Sequence, residues 1–340
     1  SAVLDDAGHD RGHAAADFRT RTGAVPAEAR AMTPITPSRR PPFLRRSWMF
    51  VPGLDAAAQA DGLASGADAL VADLEEFTAA VDRPAARPRI AELFANCRAQ
   101  GVVAAVRINK LEDDGMADLR GVMPGAPDAV FLPHAESPAQ IAALDQAITA
   151  LEAELGLPAG STEIVPTLES ALGVHRAYDI LTASPRVSAC LLAAEDLTAS
   201  LGAERGKDGI ELHHLRARFL LDCTAAGCLP IDCPFNYRDM PALEADVRWA
   251  RRLGLKSKCA TVADQVKLIH AVFTPAPDEV AAAHDCVARY EAQRAGRHDA
   301  ERIDPPVYNT ARRLLARHHQ FERWAAERRA QAVPQQGDSA

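Results

Sequence analysis

The chain has 340 residues, 48% of them apolar, with 38 Lys and Arg against 46 Asp and Glu, a net charge of −8. That is enough for a full core in one large domain with an appendage, or in two domains, and it excludes nucleic-acid binding as the main activity because no basic excess exists to neutralise phosphates. Seven cysteines, an odd number without a CxxC pair, exclude a disulfide framework and a thiolate zinc site.

Residues 1–43 are rich in Ala, Arg, Asp and Pro and have no sustained apolar period. They predict a flexible N-terminal arm, with subunit wrapping as the alternative. Met32 reads as a natural start. No signal-peptide core precedes it and no apolar run reaches transmembrane length, so a cytoplasmic protein without a membrane partner is expected.

Order begins at Arg45-Arg46-Ser47-Trp48-Met49-Phe50-Val51-Pro52-Gly53, a buried strand stopped by Pro-Gly. Strands and helices then alternate. Strands are predicted at 69–75, 102–109, 129–133, 164–169, 189–196, 229–235 and 255–261. Helices are predicted near 84–100, from Ser137-Pro138, at 173–183 as one element, near 241–253 and at 262–273. Eight strands with helices between them over 44–274 predict a TIM (β/α)8 barrel. A doubly wound open sheet is the alternative, and no GxGxxG loop follows the first strand to support it. Pro275-Ala276-Pro277 breaks the chain. Residues 275–330 form a helical extension, with helices at 278–295 and 311–330, too poor in apolar residues to fold alone. This extension is expected to act as a lid or subunit clasp, and 331–340 as a frayed tail. Cys223, Cys228 and Cys233 read as buried thiols.

The polar residues Glu75, Arg107, Glu169 and Asp196 end four of the strands, and in a barrel those ends form one rim. Glu169 follows the apolar run Ile164-Val165, and Asp196 follows Ala189-Cys190-Leu191-Leu192-Ala193. Two carboxylates facing each other there repel unless a cation or a shared proton holds them. A few oxygen ligands suit Mg²⁺ completed by water and substrate, with Mn²⁺ as the alternative. Each residue also has an ordinary reading: Glu169 and Asp196 as rim carboxylates paired with arginines, Arg107 as an ion pair with Glu75, Asp73 as the shaper of a strand end, Asp304 as a helix N-cap. Glu195 reads as a residue bonding a loop, and His213-His214 as surface.

Several stretches resemble the HpcH/HpaI aldolase/citrate lyase family, in its citrate lyase beta-subunit-like branch. They are the opening motif at 45–53, Asp73-Leu74-Glu75-Glu76, Val106-Arg107-Ile108-Asn109, 166–173, Ala194-Glu195-Asp196-Leu197, Pro230-Ile231-Asp232, 254–265 and Ile303-Asp304-Pro305-Pro306-Val307. In order and spacing the resemblance covers 45–316 and is closest to the malyl-, citramalyl- and citryl-CoA lyases. It implies Mg²⁺ on Glu169 and Asp196, Arg107 holding a small oxo-acid, and Glu75 ordering the site. It implies Asp304 as an acid–base group brought by a neighbouring subunit's tail, Arg45 or Arg46 near the CoA phosphates, and a homo-oligomer, trimer or hexamer. The implied reaction is reversible carbon–carbon cleavage of a 3-hydroxyacyl-CoA. Alternatives are a metal-dependent aldolase on free 4-hydroxy-2-oxo acids, a CoA-thioester hydrolase, and a non-catalytic paralogue binding metal and a small acid. Two departures from the family pattern concern the thioester end: Pro133-His134 replaces Pro-Lys, and the segment 258–263 lacks the family's His and Pro.

Overall fold

Continuous apolar runs such as Trp48-Met49-Phe50-Val51 and Leu70-Val71-Ala72 need cover on both faces, which a parallel sheet ringed by helices supplies. The computed structural model describes residues 39–297 and 302–332. Among them are eight strands: β1 (Ser47–Pro52), β2 (Ala69–Asp73), β3 (Val103–Arg107), β4 (Ala129–Leu132), β5 (Glu163–Leu168), β6 (Ala189–Leu192), β7 (Leu229–Ile231) and β8 (Lys258–Ala260). All neighbours pair in parallel, in the order β7-β6-β5-β4-β3-β2-β1-β8.

The two ends of that order meet at Asp232 and Lys258. Asp232 N–H donates to the Ser257 carbonyl at 2.9 Å, and Cys259 N–H to the Asp232 carbonyl at 3.0 Å. The short ladder is reinforced by charge. Lys258 is fully buried, with its Nζ 2.8 Å from both Asp232 and Asp246. Thus Lys258 is a closure residue of the barrel.

The helices are α1 (Ala56–Ala64), α2 (Arg83–Gln100), α3 (Met116–Val122), α4 (Pro138–Leu155), α5 (Ala171–His175), α6 (Ala177–Leu181), α7 (Ala194–Leu201), α8 (His213–Ala226), α9 (Met240–Leu253), α10 (Ala263–Phe273), α11 (Pro277–Arg294) and α12 (Pro305–Ala332). Side-chain alternation divides the core in two. Trp48, Phe50, Val71, Ala105, Phe131, Val165 and Leu191 fill the barrel, while Met49, Val51, Leu70, Val106 and Leu168 face the helices. Phe131 stands edge-on to Trp48 and Phe50, at 5.4 and 5.5 Å between ring centroids, a favoured aromatic geometry.

Three expectations change. The predicted helix 173–183 is two helices, broken at Arg176 (φ −99°, ψ 13°). Strand β6 ends at Leu192, so Asp196 lies in the first turn of α7 rather than on a strand. The last helix starts at Pro305, where two prolines cost nothing because first-turn N–H groups have no intrahelical acceptor. The arm 1–43 lies outside the described residues up to position 38, as does the tail from 333. The described end of the arm is anchored, with Arg39 bonding Asp128 and Glu163, each at 2.9 Å. Helices α11 and α12 pair through Ala283, Ala311 and Leu315, and Tyr290 stacks on Tyr308 at 4.2 Å. The arginine-rich second half of α12 does not simply face solvent. Arg317 donates to the Phe43 carbonyl, and Phe321 and Trp324 lie under Arg46 and Arg40. These contacts lie ahead of β1, at the N-terminal end of the barrel.

Candidate metal and oxo-acid site

In register, Asp73 ends β2 beside Arg107 at the end of β3. Asp73 is fully buried and accepts from Arg107 Nε at 2.9 Å and from Nη2. It also accepts the backbone N–H of Glu75, Glu76 and Phe77, an Asp-nucleated turn that swings Glu75 and Glu76 over the rim. Arg107 Nη1 lies 2.9 Å from Glu75 Oε2 and Nη2 2.8 Å from Glu76 Oε2. Its guanidinium carbon sits 5.2 Å from the Phe50 ring centroid. Burial works against the Arg107 charge, but the Asp73 hydrogen bonds and the carboxylates around it hold its pKa above the ordinary value.

Glu169 follows β5 directly. The next residue fixes the turn: Ser170 caps α5 by accepting from Gly173 N–H at 3.1 Å. Gly173 must lack a side chain, because a Cβ there would sit 2.6 Å from the Ala135 carbonyl oxygen. After β4, His134 adopts φ +50°, a left-handed conformation uncommon for a non-glycine residue. That turn aims the His134 backbone N–H at Glu169 Oε1, to which it donates. The imidazole follows, with Nδ1 3.2 Å from Glu169 Oε1 and Nε2 3.6 Å from Glu75 Oε1. One donor atom each from His134, Glu169 and Asp196 lies within 4.8 Å of the others.

This rim holds more negative charge than it can neutralise alone. Burial, with Glu75 and Asp196 nearby, pushes the buried Glu169 carboxyl up to about 8. Burial and the charges of Glu76, Asp73 and Asp196 also raise Glu75, against the opposing pull of Arg107. Glu75 Oε2 is buried with no aligned hydrogen bond despite its closeness to Arg107. Converging carboxylates with an orphaned oxygen fit a bound divalent cation, which replaces the proton that burial otherwise favours. Beside Pro133 a cavity of about 240 Å³ opens, lined by Lys110, Leu111, Glu112, Leu132 and Gln140 among others.

The structure therefore brings Glu75, Arg107, Glu169 and Asp196 together. It does not bring Arg45, Arg46 or Asp304 to them. Arg45 is fully buried and pairs with Glu163 at the start of β5, at 2.6 Å, and Arg46 pairs with Asp68 just before β2, at 2.8 Å. Both lie at the opposite end of the strands, because they precede β1. Asp304 stands at the N-cap of α12 with its side chain 71% exposed, 4.0 Å from Arg302. Glu195 does bond loops, accepting from Arg205 and Asn236. His213 stacks on Trp249 at 4.1 Å instead of lying free on the surface. Sequence reasoning gave Asp73 too small a part and missed Glu76. An aspartate ending a strand two to four residues before solvent-facing polar residues is the available signal for the first.

The HpcH/HpaI aldolase/citrate lyase family profile matches residues 46–262. The chain belongs to that family. The citrate lyase subunit beta of Haemophilus influenzae is 32% identical over 281 residues, 81% of this chain and 97% of the relative. The L-malyl-CoA/beta-methylmalyl-CoA lyase of Rhodobacter capsulatus is 31% identical over 286 residues, 75% and 87% of the two chains. Among solved structures, CitE of Mycobacterium tuberculosis in complex with magnesium, acetoacetate and coenzyme A superposes with a TM-score of 0.64 at 26% identity, over 80% of this chain and 97% of that one. As a member of the family the protein is a carbon–carbon lyase built on a TIM barrel.

Proposed function

We propose that this lyase reversibly cleaves the carbon–carbon bond of a 3-hydroxyacyl-CoA of the malyl-, citramalyl- or citryl-CoA type. The ion is Mg²⁺, held by Glu169 and Asp196. The observation that carries the reading is the convergence of those two carboxylates, with Glu75, beside a buried arginine fork. When bound, the cation supplies Lewis-acid polarisation of the oxygen next to the bond that breaks.

The chain's own groups do the positioning. Asp73 fixes the Arg107 plane, so the outer edge of the guanidinium faces the rim. There a substrate carboxylate takes over the bonds now made to Glu75 and Glu76, in the bidentate geometry arginine favours. Glu76, exposed and held by a single hydrogen bond from Arg107 Nη2, is the one that yields. Glu169 is held by the His134 N–H, which keeps its donor oxygen turned to the rim. The cavity beside Pro133 gives the pantetheine arm a largely apolar path. Asp304 is the proton-transfer group. Its distance from its own rim, with α12 tied to the N-terminal end of its own barrel, supports its use by a second copy, and hence a homo-oligomer such as a trimer or hexamer.

The test is incubation of the purified protein and Mg²⁺ with malyl-, citramalyl- and citryl-CoA and, separately, with free 4-hydroxy-2-oxo acids. Release of an oxo-acid and a shorter acyl-CoA from a thioester is the expected result. Turnover of the free acids alone would replace this reading with an aldolase. Loss of CoA without an oxo-acid would replace it with a hydrolase.

A further inference from the structure

We propose that His134 is itself a ligand of the rim cation. The site then holds one imidazole nitrogen and two carboxylates, and it binds a first-row transition dication such as Mn²⁺ or Co²⁺ more tightly than Mg²⁺. The inference rests on the assignment of the cation to Glu169 and Asp196, and it adds a residue and a metal preference to it.

Three observations converge. His134 Nδ1 lies 3.2 Å from Glu169 Oε1. Two neighbouring ligand atoms on a six-coordinate ion with bonds of about 2.1 Å stand ~3 Å apart. The pair is therefore already at the spacing of adjacent ligands. Second, the three donor atoms fall within 4.8 Å of one another. Opposite ligands on such an ion are ~4.2 Å apart, so contraction by less than an ångström completes the set. Asp196 is exposed and free to supply that movement.

Third, the backbone at His134 holds φ +50°. A β-carbon in the left-handed region is disfavoured, and such outliers persist where the surroundings require them. Here the turn directs both the backbone N–H and the ring of one residue at the same oxygen of Glu169. The N–H alone would satisfy that oxygen, which leaves the ring nitrogen available at the cluster.

The alternative is a plain hydrogen bond from Nδ1–H to Glu169, with no metal contact. The two differ in which metals the site favours. Mg²⁺ keeps to oxygen ligands and its water. Imidazole raises affinity along the order Mn²⁺, Fe²⁺, Co²⁺, Ni²⁺.

The experiment uses the tag-free full chain, with metal affinity measured by calorimetry and the Mn²⁺ form examined by pulsed electron paramagnetic resonance for coupling to ¹⁴N. His134→Asn is the main variant, because asparagine tolerates the left-handed backbone; His134→Gln is the second. The wild type is expected to bind Mn²⁺ at least tenfold more tightly than Mg²⁺ and to show ¹⁴N coupling. Both variants should lose the coupling and weaken Mn²⁺ at least tenfold, with a smaller effect on Mg²⁺. Mn²⁺ bound without ¹⁴N coupling, with affinity unchanged in His134→Asn but abolished in Glu169→Gln, overturns the inference and leaves the carboxylate assignment standing. Failure of the wild type to bind either ion overturns both.

Discussion

In the proposed site Asp73 orients the arginine that would meet the oxo-acid, and Asp73→Asn is the sharpest test of that arrangement. The substitution keeps the volume and one carbonyl oxygen, so part of the turn through Glu75, Glu76 and Phe77 survives. It removes the charge that faces Arg107 on a fully buried carboxylate and leaves an amide N–H where Arg107 donates. Breaking a buried ion pair by neutralising one partner costs on the order of 3–5 kcal/mol. Glu75 and Glu76 remain within 2.9 Å of the guanidinium and offset part of the loss, so about 3 kcal/mol is expected. In urea, where the slope rises with chain size to roughly 3 kcal/mol/M or more for a chain of this length, that is a drop in midpoint of about 1 M or somewhat less. Because the fork turns away from the rim, KM for the thioester should rise more than kcat falls. Equilibrium unfolding and steady-state kinetics on the same preparation measure both. A stability change under ~1 kcal/mol with KM unchanged would refute the claim that Asp73 orients Arg107.

Other outcomes follow from the same geometry. Without metal, Glu169 titrates near 8 instead of its ordinary 4.5. A carboxyl raised in the folded state stabilises fully below its unfolded value and loses that contribution as pH rises through the folded one. The Tm of EDTA-treated protein should therefore fall between pH 5 and 8.5, and saturating Mg²⁺ should flatten the decline; identical profiles with and without metal would contradict the site. Lys258→Met strands Asp232 and Asp246 at the barrel seam, with only Arg216 left to serve both, and should cost about 3 kcal/mol in urea unfolding. Arg45→Ala removes a buried partner of Glu163 and should lower stability by about 2–3 kcal/mol while leaving KM for the thioester unchanged; a raised KM would return Arg45 to the substrate site. Glu76→Gln frees one edge of Arg107 and should tighten oxo-acid binding severalfold in a calorimetric titration, with unchanged affinity opposing its role as the yielding carboxylate.

The barrel was legible because its signal is additive. Each apolar run is covered on both faces, and the polar residue ending each run marks the rim whatever the exact register. The carboxylate pair was legible for the same reason, although Asp196 proved to ride on the first turn of α7. Ala193-Ala194-Glu195 favours helix by propensity, but the apolar run continues through the alanines, and hydrophobicity alone extended β6 too far. Direction along the barrel was harder to read. Arg45 and Arg46 sit in a family-like motif, but their position before β1 assigns them to the far end, where Glu163 and Asp68 claim them. Asp304 is separated from the rim by a helix whose docking depends on Phe321 and Trp324 meeting Arg46 and Arg40 ahead of β1, a long-range contact with no local periodicity. His134 was the least readable. Its role depends on a left-handed backbone that no propensity predicts for histidine, and on a neighbour 35 residues away.

The central claim is that the rim carboxylates hold the ion on which carbon–carbon cleavage depends. It is tested most directly by following oxo-acid release from the active thioester in wild type and in Glu169→Gln, each after chelation and again after Mg²⁺ is restored. The prediction is full loss on chelation, recovery in the wild type alone, and no metal binding by the folded variant. Cleavage that survives chelation, or a Glu169→Gln protein that binds Mg²⁺ and turns over like the wild type, would contradict it.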